Sequence, residues 1–126
     1  AETCNLYRKH FRPSFELSDP LVSVGVNVLC AESEEEVALM LESLELWRKD
    51  GLRGPIPKAG NGESQRSLTV LSPSRPMVIG TPETVHEQLL SVANVYKAEE
   101  LLIVTICYDH EQRKNSYRLI AEQFMQ

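Results

Sequence analysis

The chain has 126 residues, 42% of them hydrophobic and 25% charged, a composition that fits one ordinary globular domain and excludes a disordered or fibrous chain. This is about half of the ~250 residues that a complete (β/α)₈ barrel takes, so the length excludes a whole barrel. The net charge of −5 gives nothing global to attract phosphate backbones or anionic lipid, and predicts neither nucleic acid nor membrane as a partner.

The first element is a short helical stretch marked by Leu6, Tyr7 and Phe11 and ended by Pro13 and Ser14. No N-cap residue precedes it, which suggests a helix whose start lies outside these residues. The basic run Tyr7-Arg8-Lys9-His10-Phe11-Arg12 reads as a solvated helix face.

After the turn at Ser18-Asp19-Pro20, the valines at 22, 24, 26 and 28 alternate with smaller or polar partners, the period of a strand. One face is wholly β-branched, while the other carries Ser23, Gly25 and Asn27. That division fits a strand of a parallel barrel whose lumen end lies near Asn27. It also fits an edge strand of a solvated antiparallel sheet.

Ser33 with Glu36 three residues later forms a capping-box pattern, and Glu34, Glu35 and Glu36 sit at the positive end of the helix dipole. The acidic run is therefore a helix start rather than a metal site. Val37, Met40, Leu41, Leu44 and Trp47 supply one apolar stripe, and Gly51 fits the C-terminal cap. From Gly51 to Pro76 the chain is rich in Gly, Pro and Ser, which predicts a flexible insertion of the kind that serves as a lid or binding loop.

Met77 to Gly80 leads into a helix with Thr81 as N-cap and Pro82 at the first position, with Val85, Leu89, Val92, Ala93 and Tyr96 inward. Leu101 to Tyr108 is nearly continuous in apolar residues, as in a parallel strand buried on both faces. Asp109, with Gln112 at the third helical position, caps a last helix that turns Tyr117, Ile120, Ala121 and Phe124 inward. Two strands joined through helices imply parallel pairing with a right-handed crossover.

Cys4, Cys30 and Cys107 have no metal-ligand spacing and read as reduced, mostly buried thiols of a cytoplasmic protein. No apolar run approaches a membrane span, and no signal-peptide hydrophobic region opens the chain. No motif specifies a reaction: there is no G-x-S-x-G, H-E-x-x-H, Walker loop or dinucleotide fingerprint.

The candidate residues follow from position. Asn27, Thr105 and Cys107 would face the lumen if both strands belong to a barrel, and simple interior packing is the alternative. Arg53 opens the long loop and can meet an anion, or lie in solvent. His110 follows a strand's C-terminal end in the first turn of a helix, where the dipole disfavours the charged ring. It reads either as a neutral ligand-facing imidazole or as a surface histidine beside the capping Asp109.

The run Tyr7 to Ser14, then Val24-Gly-Val-Asn-Val28 with Ala31 to Glu36, Arg53-Gly-Pro-Ile-Pro57, Val78-Ile-Gly-Thr-Pro-Glu83, and Glu99 to Thr105 with Asp109-His110 and Ser116-Tyr117, resembles the C-terminal part of bacterial luciferase-like flavin-dependent monooxygenases. The resemblance implies an α/β fold, the C-terminal part of a (β/α)₈ TIM barrel in which these 126 residues form one segment with two parallel βα units, the seventh and eighth. It implies FMN, or in some branches a deazaflavin, as cofactor and a small organic substrate. The earlier strands, which hold most of the flavin, are absent, so no catalytic residue follows. Asn27, Arg53, Thr105 and His110 remain pocket-side candidates. The resemblance predicts an isolated segment that is inactive and forms homo-oligomers. The competing class is a small non-enzymatic α/β interaction or ligand-binding module that self-associates through its strands.

Overall fold

The alternating valines of Ser23–Cys30 (β1) do form a strand, and it stands at the centre of the sheet. The computed structural model describes residues 1–59 and 76–125. In chain order these are Glu2–His10 (α1), β1, Glu34–Lys49 (α2), Met77–Gly80 (β2), Pro82–Tyr96 (α3), Glu100–Val104 (β3) and His110–Phe124 (α4). Among the described residues the structure is α/β, and β2, β1 and β3 run parallel in the order β2-β1-β3.

Two expectations are corrected here. Among the described residues the sheet has three strands, because Met77–Gly80 is not merely the approach to a helix but pairs with Asn27–Cys30. The strand after α3 ends at Val104 and is only half covered, with Leu102 and Val104 exposed at 53% and 44%. The predicted flexible insertion at 51–76 falls mostly on 60–75, which lie outside the described residues.

The register decides which backbone groups face which neighbour. β1 meets β3 from Ser23↔Glu100 to Asn27↔Val104, and meets β2 only from Asn27↔Met77 to Cys30↔Gly80. Even-numbered residues of β1 aim their peptide groups at β3: the Val22 carbonyl accepts from the Glu99 N–H at 3.0 Å, and the Val22 N–H donates to Glu99 Oε2 at 2.7 Å. That N–H holds the Glu99 carboxyl below its ordinary range. Odd-numbered residues aim the other way, with the Asn27 N–H donating to the Pro76 carbonyl at 3.2 Å.

Side-chain parity then builds two cores. Val22, Val24, Val26, Val28 and Cys30 share one face, packed under α3 and α4 with Val85, Leu89, Leu119 and Ile120. On the opposite face the upper half, Leu29 and Ala31, packs with Val37, Met40 and Leu44 of α2 and with Cys107. The lower half of that face, Ser23 and Gly25 of β1 with Glu100, Leu102 and Val104 of β3, is exposed, and Asn27 is half-buried at its upper border.

Local chemistry sets the helix ends as read. Ser33 Oγ accepts from the Glu36 N–H at 3.3 Å and Asp109 Oδ1 from the Gln112 N–H at 2.9 Å. Pro82 begins α3, although Thr81 makes no side-chain cap bond. At the other end of α3, Lys97 adopts a left-handed φ of 48°, and the Arg8 guanidinium of α1 donates to the carbonyls of Tyr96 and Lys97. In α4 the inward residues are Ser116, Leu119 and Ile120. Tyr117 and Phe124, expected inward, are exposed, and Phe124 instead sets its ring edge-to-face on His86 at 4.6 Å.

Candidate functional site

The C-terminal ends of β1 and β3 are tied to α4 by a buried set of polar groups. Beyond Asn27↔Val104 the ladder stops, and side chains take over its hydrogen bonds. Thr105 Oγ1 donates to the Val28 carbonyl at 2.9 Å, the Cys30 N–H donates to Ser116 Oγ at 3.1 Å, and the Thr105 N–H donates to the Tyr117 hydroxyl at 2.9 Å. Thr105 Oγ1 and Ser116 Oγ lie 3.3 Å apart. The expected lumen-facing orientation of Thr105 is therefore corrected. It has the parity of Leu101 and Ile103, which pack on the α3/α4 side, and it is buried there.

Asn27 is half-buried on the face of β1 opposite its valines. It lines a cleft of about 410 Å³ together with Ser23, Val24, Gly25, Val26, Pro76, Val104, Cys4 and Tyr96. A second cleft, about 240 Å³, lies between α2 and the start of α4 and is lined by Leu39, Ser43, Lys58, Ala59, Tyr108, Asp109 and Gln112. Sequence reasoning passes over Lys58 and reads Tyr108 as a strand end and Gln112 as a capping residue, not as cleft residues. The one available signal is that Tyr108 and Gln112 flank a helix start just after a strand end.

His110 is exposed at that helix start, and the Arg113 guanidinium donates to its Nδ1 at 2.8 Å. Because a guanidinium only donates, Nδ1 is the acceptor of this contact, which leaves Nε2 as the ring nitrogen that can donate. Arg53 is exposed in a turn that begins with left-handed Gly51 and Leu52 and is fixed to α2 by Trp47, whose Nε1–H donates to the Gly54 carbonyl at 3.1 Å. Among the described residues neither cleft brings two of the four candidates Asn27, Arg53, Thr105 and His110 together. Cys107, weighed beside them, is buried against α2.

Burial makes the inner thiols poor nucleophiles. The Cys30 thiol is pushed up to about 11 by desolvation and then by the charge of Glu83, and burial raises Cys107 as well. Near neutral pH, a thiol reagent is expected to modify half-buried Cys4 in the folded chain and to reach Cys30 and Cys107 only on unfolding, as mass spectrometry of the labelled peptides will read. The raised value favours the folded state while the thiol is protonated. That contribution is complete below the ordinary value of 9.0 and is lost as pH rises toward about 11.

The fold class is thus a parallel α/β sheet with helices over one face and half of the other face bare. No family model matches the chain. It is 33% identical over 131 residues to the protein YwcH of Bacillus subtilis (strain 168), covering 97% of this chain and 39% of YwcH. It is 23% identical over 129 residues to a luciferase-like monooxygenase of Escherichia coli (strain K12), covering 96% of this chain and 38% of that protein. The crystal structure of apo-MsnO8 superposes with a TM-score of 0.79 at 26% identity, covering 98% of this chain and 40% of that one. The similarity to luciferase-like monooxygenases is distant, and the chain spans about two-fifths of the length of the relatives it matches. No helix among the described residues is long and apolar enough to cross a membrane.

Proposed function

We propose that the chain is the C-terminal segment of a luciferase-like, FMN-dependent monooxygenase, with β1 and β3 as adjacent strands of a (β/α)₈ barrel, and that it has no turnover by itself. The observation that carries this reading is the division of the sheet: α3 and α4 cover the face an outer helical layer would cover, and the lower half of the other face is bare. The distant luciferase-like relatives and the partial superposition support it.

In this reading Ser23, Gly25, Glu100, Leu102 and Val104 belong to the packed interior of the barrel. The site lies at the strand ends, from Asn27 upward. Among the described residues this face carries Glu100 and no Lys or Arg, so it supplies no phosphate clamp. Reduced FMN, or a deazaflavin in related branches, would supply the electrons for oxidising a small organic substrate. The chain's own residues bind and orient: the Asn27 amide offers a hydrogen bond at the pocket wall, His110 Nε2–H a second from the rim, and Arg53 a charge for an anion. Thr105 acts from behind, holding the end of β3 to β1. The whole enzyme is a cytoplasmic homo-oligomer in this reading.

The test is oxidation of a long-chain aldehyde by the purified chain with reduced FMN and dioxygen. No aldehyde-dependent product above the flavin-only rate is expected, and saturable turnover by the chain alone would overturn the segment reading. The bare face also favours a second reading, a non-enzymatic module that self-associates there. Light scattering showing oligomers, combined with no gain of FMN binding on co-expression with the rest of a YwcH chain, would select it.

A further inference from the structure

The covered part of α1 is a single narrow stripe. Cys4 and Arg8, with Phe11 just past the helix end, follow one another at the spacing of one helix face and are half-buried, and no residue of α1 is fully buried. The other apolar residues of α1, Leu6 and Tyr7, are exposed at 59% and 40%. Docking of this helix therefore gains little from apolar burial.

What holds α1 is a charge placed at the end of another helix. The last turn of α3 has no basic residue of its own. In the turn that follows, the Lys97 N–H donates to the Asn94 carbonyl at 3.2 Å and the Ala98 N–H to the Ala93 carbonyl at 2.9 Å. The carbonyls of Tyr96 and Lys97 are left to the Arg8 guanidinium, which also meets the negative end of the α3 dipole. One nitrogen, Nη2, makes both bonds. The other, Nη1, is buried and has no hydrogen-bond partner among the described residues. A stranded donor on a charged group opposes the docked position, because release returns it to water. Two bonds and a helix dipole hold α1 closed, while an orphaned nitrogen and the shortage of buried apolar surface pull it open.

We propose that α1 is a strap latched by Arg8, which leaves the corner between α3 and β3 as a unit while the sheet stays folded. The core beneath it is complete without α1: β1, α3 and α4 supply all its fully buried residues but Val78 of β2, and Cys4 only packs at its margin. Cys4 and Tyr96 also line the cleft at Asn27, so the strap carries part of that wall and its release opens the cleft on the Cys4 side. The device belongs to these residues alone and does not depend on the segment reading above.

The three cysteines report on the strap and the cores separately, since Cys4 lies on α1 and Cys30 and Cys107 are buried in the two cores. In Arg8→Met, labelling of Cys4 by a maleimide is expected to quicken about tenfold or more, with Cys30 and Cys107 as slow as in the wild type. Lys9→Met, at an exposed neighbour on the same helix, removes a charge without touching the latch and is expected to leave all three rates unchanged. In the wild-type chain the amides of Leu6 to His10 are expected to exchange about tenfold or more faster than those of Val26 and Leu89. The proposal is overturned if Arg8→Met leaves the Cys4 rate unchanged, if it quickens all three cysteines together, or if Lys9→Met has the same effect. It is overturned equally if the wild-type α1 amides exchange as slowly as Val26, which would make α1 a fixed part of the global unfolding unit.

Discussion

Replacing Leu89 by Ala is expected to lower stability by about 2–5 kcal/mol, the range for truncating a large aliphatic side chain in a core. Leu89 is 1% exposed and lies in the cluster that joins α3 to the valine face of β1. Domains of this kind hold about 5–15 kcal/mol in total, so the loss is a large share of the whole and lowers the Tm by roughly 10 °C or more. The neighbouring Leu90 is exposed, and Leu90→Ala is expected to stay within about 0.5 kcal/mol. Urea titrations of the two variants, one residue apart in sequence, check the pair. Equal effects would mean that α3 does not present this face to the sheet.

Ser116→Ala is expected to cost about 1–3 kcal/mol, because it leaves a buried N–H without a partner. Ser116 is 0% exposed, and its Oγ accepts from the Cys30 N–H at the point where β1 has run past the end of β3. The serine and Thr105 stand in for the ladder bonds that a longer β3 would make. The effect is local as well as global: amide exchange at Cys30 is expected to quicken more than at Val26, which pairs with β3 itself. Chemical denaturation with residue-resolved exchange separates this from a uniform loss, which would assign Ser116 a packing role alone.

Much of this architecture is legible in the sequence where the physics is local. Ser33 with Glu36 and Asp109 with Gln112 are three residues apart, so their caps need no knowledge of the tertiary fold. The four valines of β1 show their period directly. β2 is not found, because four residues before a helix start show too little alternation to separate a strand from a lead-in. The side taken by Thr105 is equally hidden. In Leu101 to Ile106 every residue but Thr105 itself is apolar, so parity cannot say which face meets the helices. Asn27 escapes this difficulty because its strand has one β-branched and one polar face. The second cleft is assembled from α2, Lys58–Ala59 and the start of α4, segments far apart in the chain, and no local pattern announces it.

The central place of β1 also has a temporal side. Glu100, the partner of Ser23, lies 77 residues further along the chain. A ribosome adding roughly 5–20 residues per second makes that stretch in about 4–15 s. For those seconds the valine-rich strand that organises the sheet has been synthesised and its partner in β3 has not. The nascent chain therefore carries its most adhesive stretch longest without its β3 neighbour, and a tunnel-tethered intermediate stalled before Glu100 is the species in which β1 would meet a chaperone or a wrong partner.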